Sequence, residues 1–191
     1  MDNGSLAFVS DNANIGIALY PGGLVDYKSY APLADGLASH NILCIILDIK
    51  SQIPLLEEKI AEDTENQYPN IDHWYIAGHS MGGLAAVSYY SKYYNYLDGL
   101  ILLASYSNID ISNINKKVLS IYGTNDEVLN KKMYEDCHNN LPLNCKEIVI
   151  EGGCHSYFAD YGIKGEEVPL ITLESQTNIT VNSIVDFVLS K

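Results

Sequence analysis

At 191 residues, with 11 basic against 24 acidic side chains, the chain is long enough for one domain with a sizeable core and carries a formal charge of −13 at neutral pH. All the basic residues are lysines, because no arginine occurs. This balance excludes nucleic acid and anionic membrane surfaces as partners. It also removes the bidentate fork that grips carboxylates and phosphates, so a neutral small molecule is the expected ligand. No stretch reaches the roughly 18 apolar residues of a membrane span, and Met1-Asp2-Asn3-Gly4 lacks the basic region and apolar core of a signal peptide, so cytoplasmic residence is expected. Cys44, Cys137, Cys145 and Cys154 have no zinc-ligand spacing. Cys44 reads as a buried apolar residue. Cys137 and Cys145 flank a short loop where pairing is conceivable, but cytoplasmic thiols stay reduced.

In chain order, Leu6 to Val9 is a candidate antiparallel edge strand, followed by an apolar strand at Ile15 to Tyr20 and a Pro21-Gly22-Gly23 turn. Helical spacing covers Tyr30 to Ser39, a strand follows at Ile42 to Leu47, and Ile53 to about Gln67 again has helical spacing, stopped by Tyr68-Pro69-Asn70. Strands are predicted at Trp74 to Ala77, Gly99 to Ala104, Val118 to Tyr122 and Glu147 to Ile150. Helices are predicted at Ser80 to Tyr94, Asn130 to Asn139 and Ile179 to Leu189. Short Ile-, Val-, Leu- and Tyr-rich runs alternating with helices predict an α/β fold: a mostly parallel sheet of six to seven strands, helices on both faces, and a single domain over residues 1–191. No solenoid repeat or low-complexity tract interrupts it.

The most informative segment is Gly78-His79-Ser80-Met81-Gly82, between the strand Trp74 to Ala77 and a helix that opens with small residues. A G-x-S-x-G in this context predicts a nucleophile elbow, where the serine sits on a strained turn with its hydroxyl exposed above the sheet. Gly78 and Gly82 would remove β-carbons where strand and helix pass closest. His79 points away from Ser80 and is expected to pack or hydrogen-bond near the turn.

A serine hydroxyl is a weak nucleophile, so it needs a base and a group to orient that base. Two strand ends supply candidates. Gly123-Thr124-Asn125-Asp126 follows Val118 to Tyr122, and Glu151-Gly152-Gly153-Cys154-His155 follows the last strand. Catalytic groups in open parallel sheets collect at such carboxyl ends, which selects Asp126, with Glu127 as the weaker competitor, and His155. The oxyanion formed during acyl transfer needs two N–H donors. Met81, after the serine, is one. Gly23 is the expected second, with Leu24 next in line.

With these residues in hand, the chain resembles the α/β-hydrolase superfamily, specifically the small lidless bacterial hydrolases of the dienelactone-hydrolase-like kind. The resemblance runs through Tyr20 to Asp26 with Tyr30 to Ala34, Gly78 to Gly83, Leu100 to Tyr106, Ile121 to Asp126, and Gly152 to Phe158 with Tyr161-Gly162. It implies a Ser80, Asp126, His155 triad that hydrolyses an ester or related acyl bond, with no metal or organic cofactor. Dienelactone hydrolases proper use a cysteine nucleophile and arginine, both absent at the matching places, so their substrate is not carried over. Relatives often bear an N-terminal hydrophobic anchor, whereas this sequence starts almost at its first strand. The connection from Ser105 to Lys117 is too short for a cap domain. An open pocket walled by Leu24, Val25, Tyr27, Met81, Tyr106, Tyr157, Phe158 and Tyr161 is therefore expected, suited to a small or short-chain neutral ester. A thioesterase, amidase or acyltransferase using the same triad is the alternative, followed by a non-catalytic binding module. The glycines from Gly152 to Pro169 leave room for a mobile flap.

Overall fold

The computed structural model describes residues 1, 3–165 and 167–190. Seven strands, β1 (Leu6–Phe8), β2 (Ile15–Tyr20), β3 (Ile42–Ile46), β4 (His73–His79), β5 (Gly99–Leu103), β6 (Lys117–Gly123) and β7 (Lys146–Ile150), form one sheet in the order β1-β3-β2-β4-β5-β6-β7. Every pairing is parallel except β1 with β3, so the edge strand expected at Leu6 is antiparallel. Strands β2, β3 and β5 are buried along their whole length, which is why they read as unbroken apolar runs rather than alternating ones. The outer strand β7 buries only Ile150 fully.

Five α-helices cover the sheet: α1 (Ala31–Ala38), α2 (Ile60–Glu65), α3 (Met81–Tyr93), α4 (Lys131–Asp136) and α5 (Leu173–Leu189). Side chains alternate along β2, so Ile15, Ile17 and Leu19 join a core with α1 and α5, while Ala18 and Tyr20 join one with α2 and α3. No helix or strand interrupts the chain between β5 and β6, so there is no cap over the carboxyl end of the sheet.

Two helices depart from their sequence patterns. The span from Ile53 to Gln67 is broken into a single 3-10 turn at Pro54–Leu56 and the short α2. One backbone group that a continuous helix would use, the Glu58 carbonyl, is taken by a tertiary partner, and the Glu57 side chain ties the break to the preceding loop. The Glu57 carboxylate accepts from the backbone of Lys50 and Ser51, and the carbonyl of Glu58 accepts from the Tyr20 hydroxyl. Helix α5 starts at Leu173, six residues before the expected Ile179, because Thr172 caps it by accepting from the Ser175 N–H at 3.1 Å.

Strand order reverses between β2 and β4, the topological switch point of an open parallel sheet. Tyr20 at the end of β2 is in register with Gly78, so the Pro-Gly-Gly turn and the serine leave adjacent strand ends. Gly123 of β6 is in register with Ile150 of β7, which brings the two later loops together in the same way. The four cysteines are free, and the pairing conceived for Cys137 and Cys145 is absent.

Candidate active site

The chain turns from β4 into α3 at Ser80, which adopts φ 55° and ψ −122°, a left-handed conformation that disfavours any residue with a β-carbon. The turn is fixed from outside: the Ser80 N–H donates to Leu103 at 2.9 Å, and the Ser105 hydroxyl donates to the Ser80 carbonyl at 2.8 Å. A β-carbon on Gly78 would fall on the Gly82 carbonyl, and one on Gly82 would fall on the backbone of Tyr20 and Pro21. The two glycines therefore allow strand, helix and Pro-Gly-Gly loop to meet without space between them.

In the loop after β6, Asp126 is fully buried, and its Oδ1 accepts from the N–H groups of Val128 at 2.9 Å and Leu129 at 2.7 Å. Its other oxygen accepts from His155 Nδ1 at 2.9 Å, so the imidazole is oriented from behind by a carboxylate that is itself held twice. Glu127 is exposed and lies 3.9 Å from Lys131, outside this arrangement. His155 and Ser80 line the same two cavities. One, of about 200 Å³, has walls from Met81, Leu84, Tyr106, Val128 and Leu129. The other, of about 100 Å³, is bounded by Gly22, Gly23, Val25, His79, Tyr161 and Lys164.

The loop after β2 bears on the donor assignments. Leu24, at φ 58°, gives its N–H to the Gln52 carbonyl at 3.1 Å, so its N–H is already engaged; Val25 donates to Gly22 at 3.3 Å. The Gly22 N–H donates to the Tyr30 hydroxyl at 2.8 Å. Gly23 packs directly against Met81, where a β-carbon would come within 2.9 Å of the Met81 sulfur. The Met81 side chain thus lies against the Gly23 backbone next to Ser80.

His79 anchors the loop from below. The Tyr30 hydroxyl accepts from Gly22 and shares a hydrogen bond with His79 Nδ1 at 2.6 Å, while His79 Nε2 is buried without a hydrogen-bond partner among the described residues. Burial, followed by the neighbouring His155, holds the His79 imidazole well below the ordinary histidine range, and burial pushes the Tyr30 phenol up. Neutral His79 lies 4.6 Å from the His155 ring and 5.6 Å from that of Phe158.

The expected pocket walls divide. Val25, Tyr106 and Tyr161 line the two cavities, and Tyr27 lines an adjoining cleft of about 360 Å³ that also reaches Val25. Phe158 does not line them: it is buried, with its ring against His79, as part of the core. Tyr157 lines neither cavity. Leu84, Val128, Leu129 and Lys164 were not singled out from the sequence, whereas His79, expected to pack or hydrogen-bond near the turn, does both. Leu84 and Val128 read as ordinary apolar residues, and Lys164 has no motif around it.

The loop carrying His155 is also held more firmly than its glycines suggest. Gln176, on α5, accepts from the Cys154 N–H at 2.9 Å and donates to the Cys154 carbonyl at 2.7 Å. Thr124 accepts from Gly152, Leu170 donates to Gly152, and Asn125 donates to Val168. Among the described residues, no group of three His, Cys, Asp or Glu side chains could hold a metal ion, and no helix is long and apolar enough to cross a membrane.

A profile of the Alpha/beta hydrolase family matches residues 16–178, nearly the whole sheet and every loop above. The chain belongs to this family. No sequence relative is detected among curated proteins. Among solved structures, Est1E from Butyrivibrio proteoclasticus with ferulic acid bound superposes with a TM-score of 0.73 at 14% identity, covering 97% of this chain and 95% of that one. A predicted CIB-like hydrolase from Thermoplasma acidophilum gives 0.65 at 18% identity, covering 96% and 94%. At these identities the likeness is one of fold.

Proposed function

We propose that this chain is a serine hydrolase that cleaves small carboxylic esters through an acyl-enzyme on Ser80. The observation that carries the reading is the buried 2.9 Å contact between His155 and Asp126, with His155 lining the same cavities as the strained Ser80. His155 Nε2 takes the proton of the Ser80 hydroxyl as its oxygen attacks the acyl carbon. Asp126 fixes the ring and stabilises the imidazolium that forms. The N–H groups of Met81 and Gly23 receive the oxyanion. The imidazolium then protonates the departing alcohol; a water gives a proton to His155 as it attacks the acyl carbon, and His155 passes that proton to the Ser80 oxygen as the acid leaves. Each step uses protein groups and water.

The cavity of about 200 Å³, with its walls of Leu84, Tyr106, Val128 and Leu129, favours a short acyl chain or a single aromatic ring over a long lipid. Est1E, which binds ferulic acid, makes aryl-substituted acids a sensible part of the substrate panel. The absence of arginine favours a neutral ester.

A fluorophosphonate probe is expected to label the parent protein, and the label to map to Ser80. Ser80→Ala should abolish labelling and lower ester turnover by about 10⁴- to 10⁶-fold, while His155→Ala should suppress both. Ester cleavage by Ser80→Ala at the parental rate would overturn the reading. A panel of matched ester, thioester and amide substrates, with and without an alcohol acceptor, separates esterase from thioesterase, amidase and acyltransferase.

A further inference from the structure

Glu167 is a buried carboxylate, 5% exposed, and its hydrogen-bond donors all belong to one short stretch of chain. Its Oε1 accepts from the backbone N–H of His155 at 2.6 Å. Its Oε2 accepts from the N–H of Ser156 at 3.1 Å and from the Ser156 hydroxyl at 2.6 Å. No lysine or histidine side chain forms an ion pair with it among the described residues. A buried carboxylate left unbonded would be strongly destabilising, so this one is held by donors of the segment that bears the imidazole.

We propose that Glu167 is a positioning residue for His155: its carboxylate clamps the backbone N–H groups of His155 and Ser156 and so sets the imidazole against Asp126. The inference rests on the hydrolytic reading of Ser80, Asp126 and His155. Its logic is geometric. His155 follows the paired glycines Gly152 and Gly153, and Gly152 sits at φ 73°, so the local backbone has little stiffness of its own. Backbone bonds from Leu170 to Gly152 and from Asn125 to Gly153 supply part of that stiffness, and three side chains add to it: Thr124 on Gly152, Gln176 on Cys154, and Glu167 on His155 and Ser156. Among the described residues, Glu167 alone receives the His155 N–H, while the His155 carbonyl accepts from Phe158 at 3.4 Å.

The residue type fits the task. Three donors converge and no acceptor needs a partner, so an ionised carboxylate, which only accepts, satisfies all of them. A glutamine would turn its NH₂ group toward either the His155 or the Ser156 N–H and would lose one of these bonds. Ser156 adds a second link, since its hydroxyl also accepts from the Lys164 N–H at 3.0 Å. This ties the Lys164 end of the loop, which carries Tyr161, to its start, and Tyr161 and Lys164 both line the smaller cavity. The clamp thus has a part that holds the base and a part that shapes the pocket, and separate substitutions can address them.

The test uses Glu167→Gln, Glu167→Ala and Ser156→Ala in the full chain, with 4-nitrophenyl acetate as substrate and a fluorophosphonate as titrant. Rates are measured well below each variant's unfolding temperature. Glu167→Ala is expected to lower kcat by about 10- to 100-fold and to slow fluorophosphonate labelling in parallel, with a smaller change in KM. Glu167→Gln should fall between it and the parent. Ser156→Ala, which keeps the carboxylate on the His155 N–H, should act mainly on KM. A purely structural role would instead lower the unfolding temperature and leave kcat of the folded fraction unchanged.

The second measurement needs no substrate. The parent should give a downfield proton resonance for the His155 Nδ1–H bonded to Asp126, and this resonance should broaden or disappear in folded Glu167→Gln. If folded Glu167→Gln keeps that resonance, and keeps kcat and labelling rate within twofold of the parent, the proposal is overturned. If the parent is inert to the fluorophosphonate, the hydrolytic reading fails by itself, and the resonance alone decides whether Glu167 orients His155. If Glu167→Ala does not fold, Glu167→Gln supplies both measurements.

Discussion

Four of the residues that set the site's geometry do so without being candidates for the chemistry. Tyr30 shows how: one buried hydroxyl accepts from Gly22 in the turn after β2 and shares a hydrogen bond with His79 in the elbow. Tyr30→Phe would leave a buried N–H and a buried ring nitrogen unpartnered, at a cost of about 1–3 kcal/mol in unfolding free energy. It would also loosen the loop that carries Gly23, the proposed oxyanion donor. Deleting an oxyanion donor outright costs about 10²- to 10³-fold in kcat, so loosening one should cost less, about 3- to 30-fold. Urea unfolding and steady-state kinetics on one preparation test both effects; an unchanged kcat in a destabilised variant would mean that Gly23 is held by other contacts. The placement of Ser80, Asp126 and His155 at neighbouring strand ends was legible in the sequence because each follows a short run that reads as a strand. For His79 the packing role was legible but its partner was not, and the roles of Tyr30, Glu167 and Gln176 were not, because hydrogen bonds formed across 8 to 49 residues of chain leave no local pattern. The substrate walls fared least well for a similar reason. An aromatic residue near the site in sequence, such as Phe158, can as readily turn into the core as into the pocket.

At the scale of elements, the strands were easier to read than the helices, because a strand buried on both faces is an apolar run whatever its neighbours do. Helix α2 illustrates the opposite case, since its sequence pattern runs from Ile53 to Gln67 and tertiary hydrogen bonds break it. Its last residue, Glu65, has a further property. Burial, partly offset by the Tyr89 hydroxyl at 3.4 Å, pushes the carboxyl up to about 7, and Oε1 has no hydrogen-bond partner in the structure. The folded state therefore holds this proton more tightly than the unfolded chain, so Glu65 contributes its full share of stability below the unfolded value of about 4.3 and loses it as pH rises to about 7. Glu65→Gln should match the parent near pH 4 and exceed it at pH 8 by about 1–3 kcal/mol, at most the equivalent of the full shift. Comparing variant with parent at each pH isolates Glu65 from His79, whose neutral burial acts in the opposite direction, costing stability as pH falls through the unfolded histidine range. Denaturant midpoints for the two proteins at pH 4, 6 and 8 give the answer, and a difference independent of pH would assign Glu65 an ordinary ionisation.

For the molecule as a whole, the charge of −13 acts on any charged molecule that approaches the open, capless face. A sphere of about 21 Å radius, the size expected for a chain of this length, repels a unit anion at its surface by roughly 1.5 kcal/mol at 0.01 M salt and roughly 0.7 kcal/mol at 0.15 M. The difference of about 0.8 kcal/mol corresponds to about a fourfold change in the local concentration of an anionic substrate and to no change for a neutral one. Lys164 at the smaller cavity offers one local opposing charge, but a single ammonium cannot remove the salt dependence of the whole field. If the hydrolytic reading is right, kcat/KM for an anionic ester such as ethyl hydrogen succinate should rise about fourfold relative to that for neutral ethyl pentanoate as sodium chloride is raised from 0.01 to 0.15 M. The neutral ester serves as the internal reference, because it shares any effect of salt on the chemical step or on folding. A ratio that stays flat would mean that local charges, Lys164 foremost, dominate the field at Ser80. A falling ratio would mean that they form an attractive site, and the preference for neutral esters argued from composition would then be wrong.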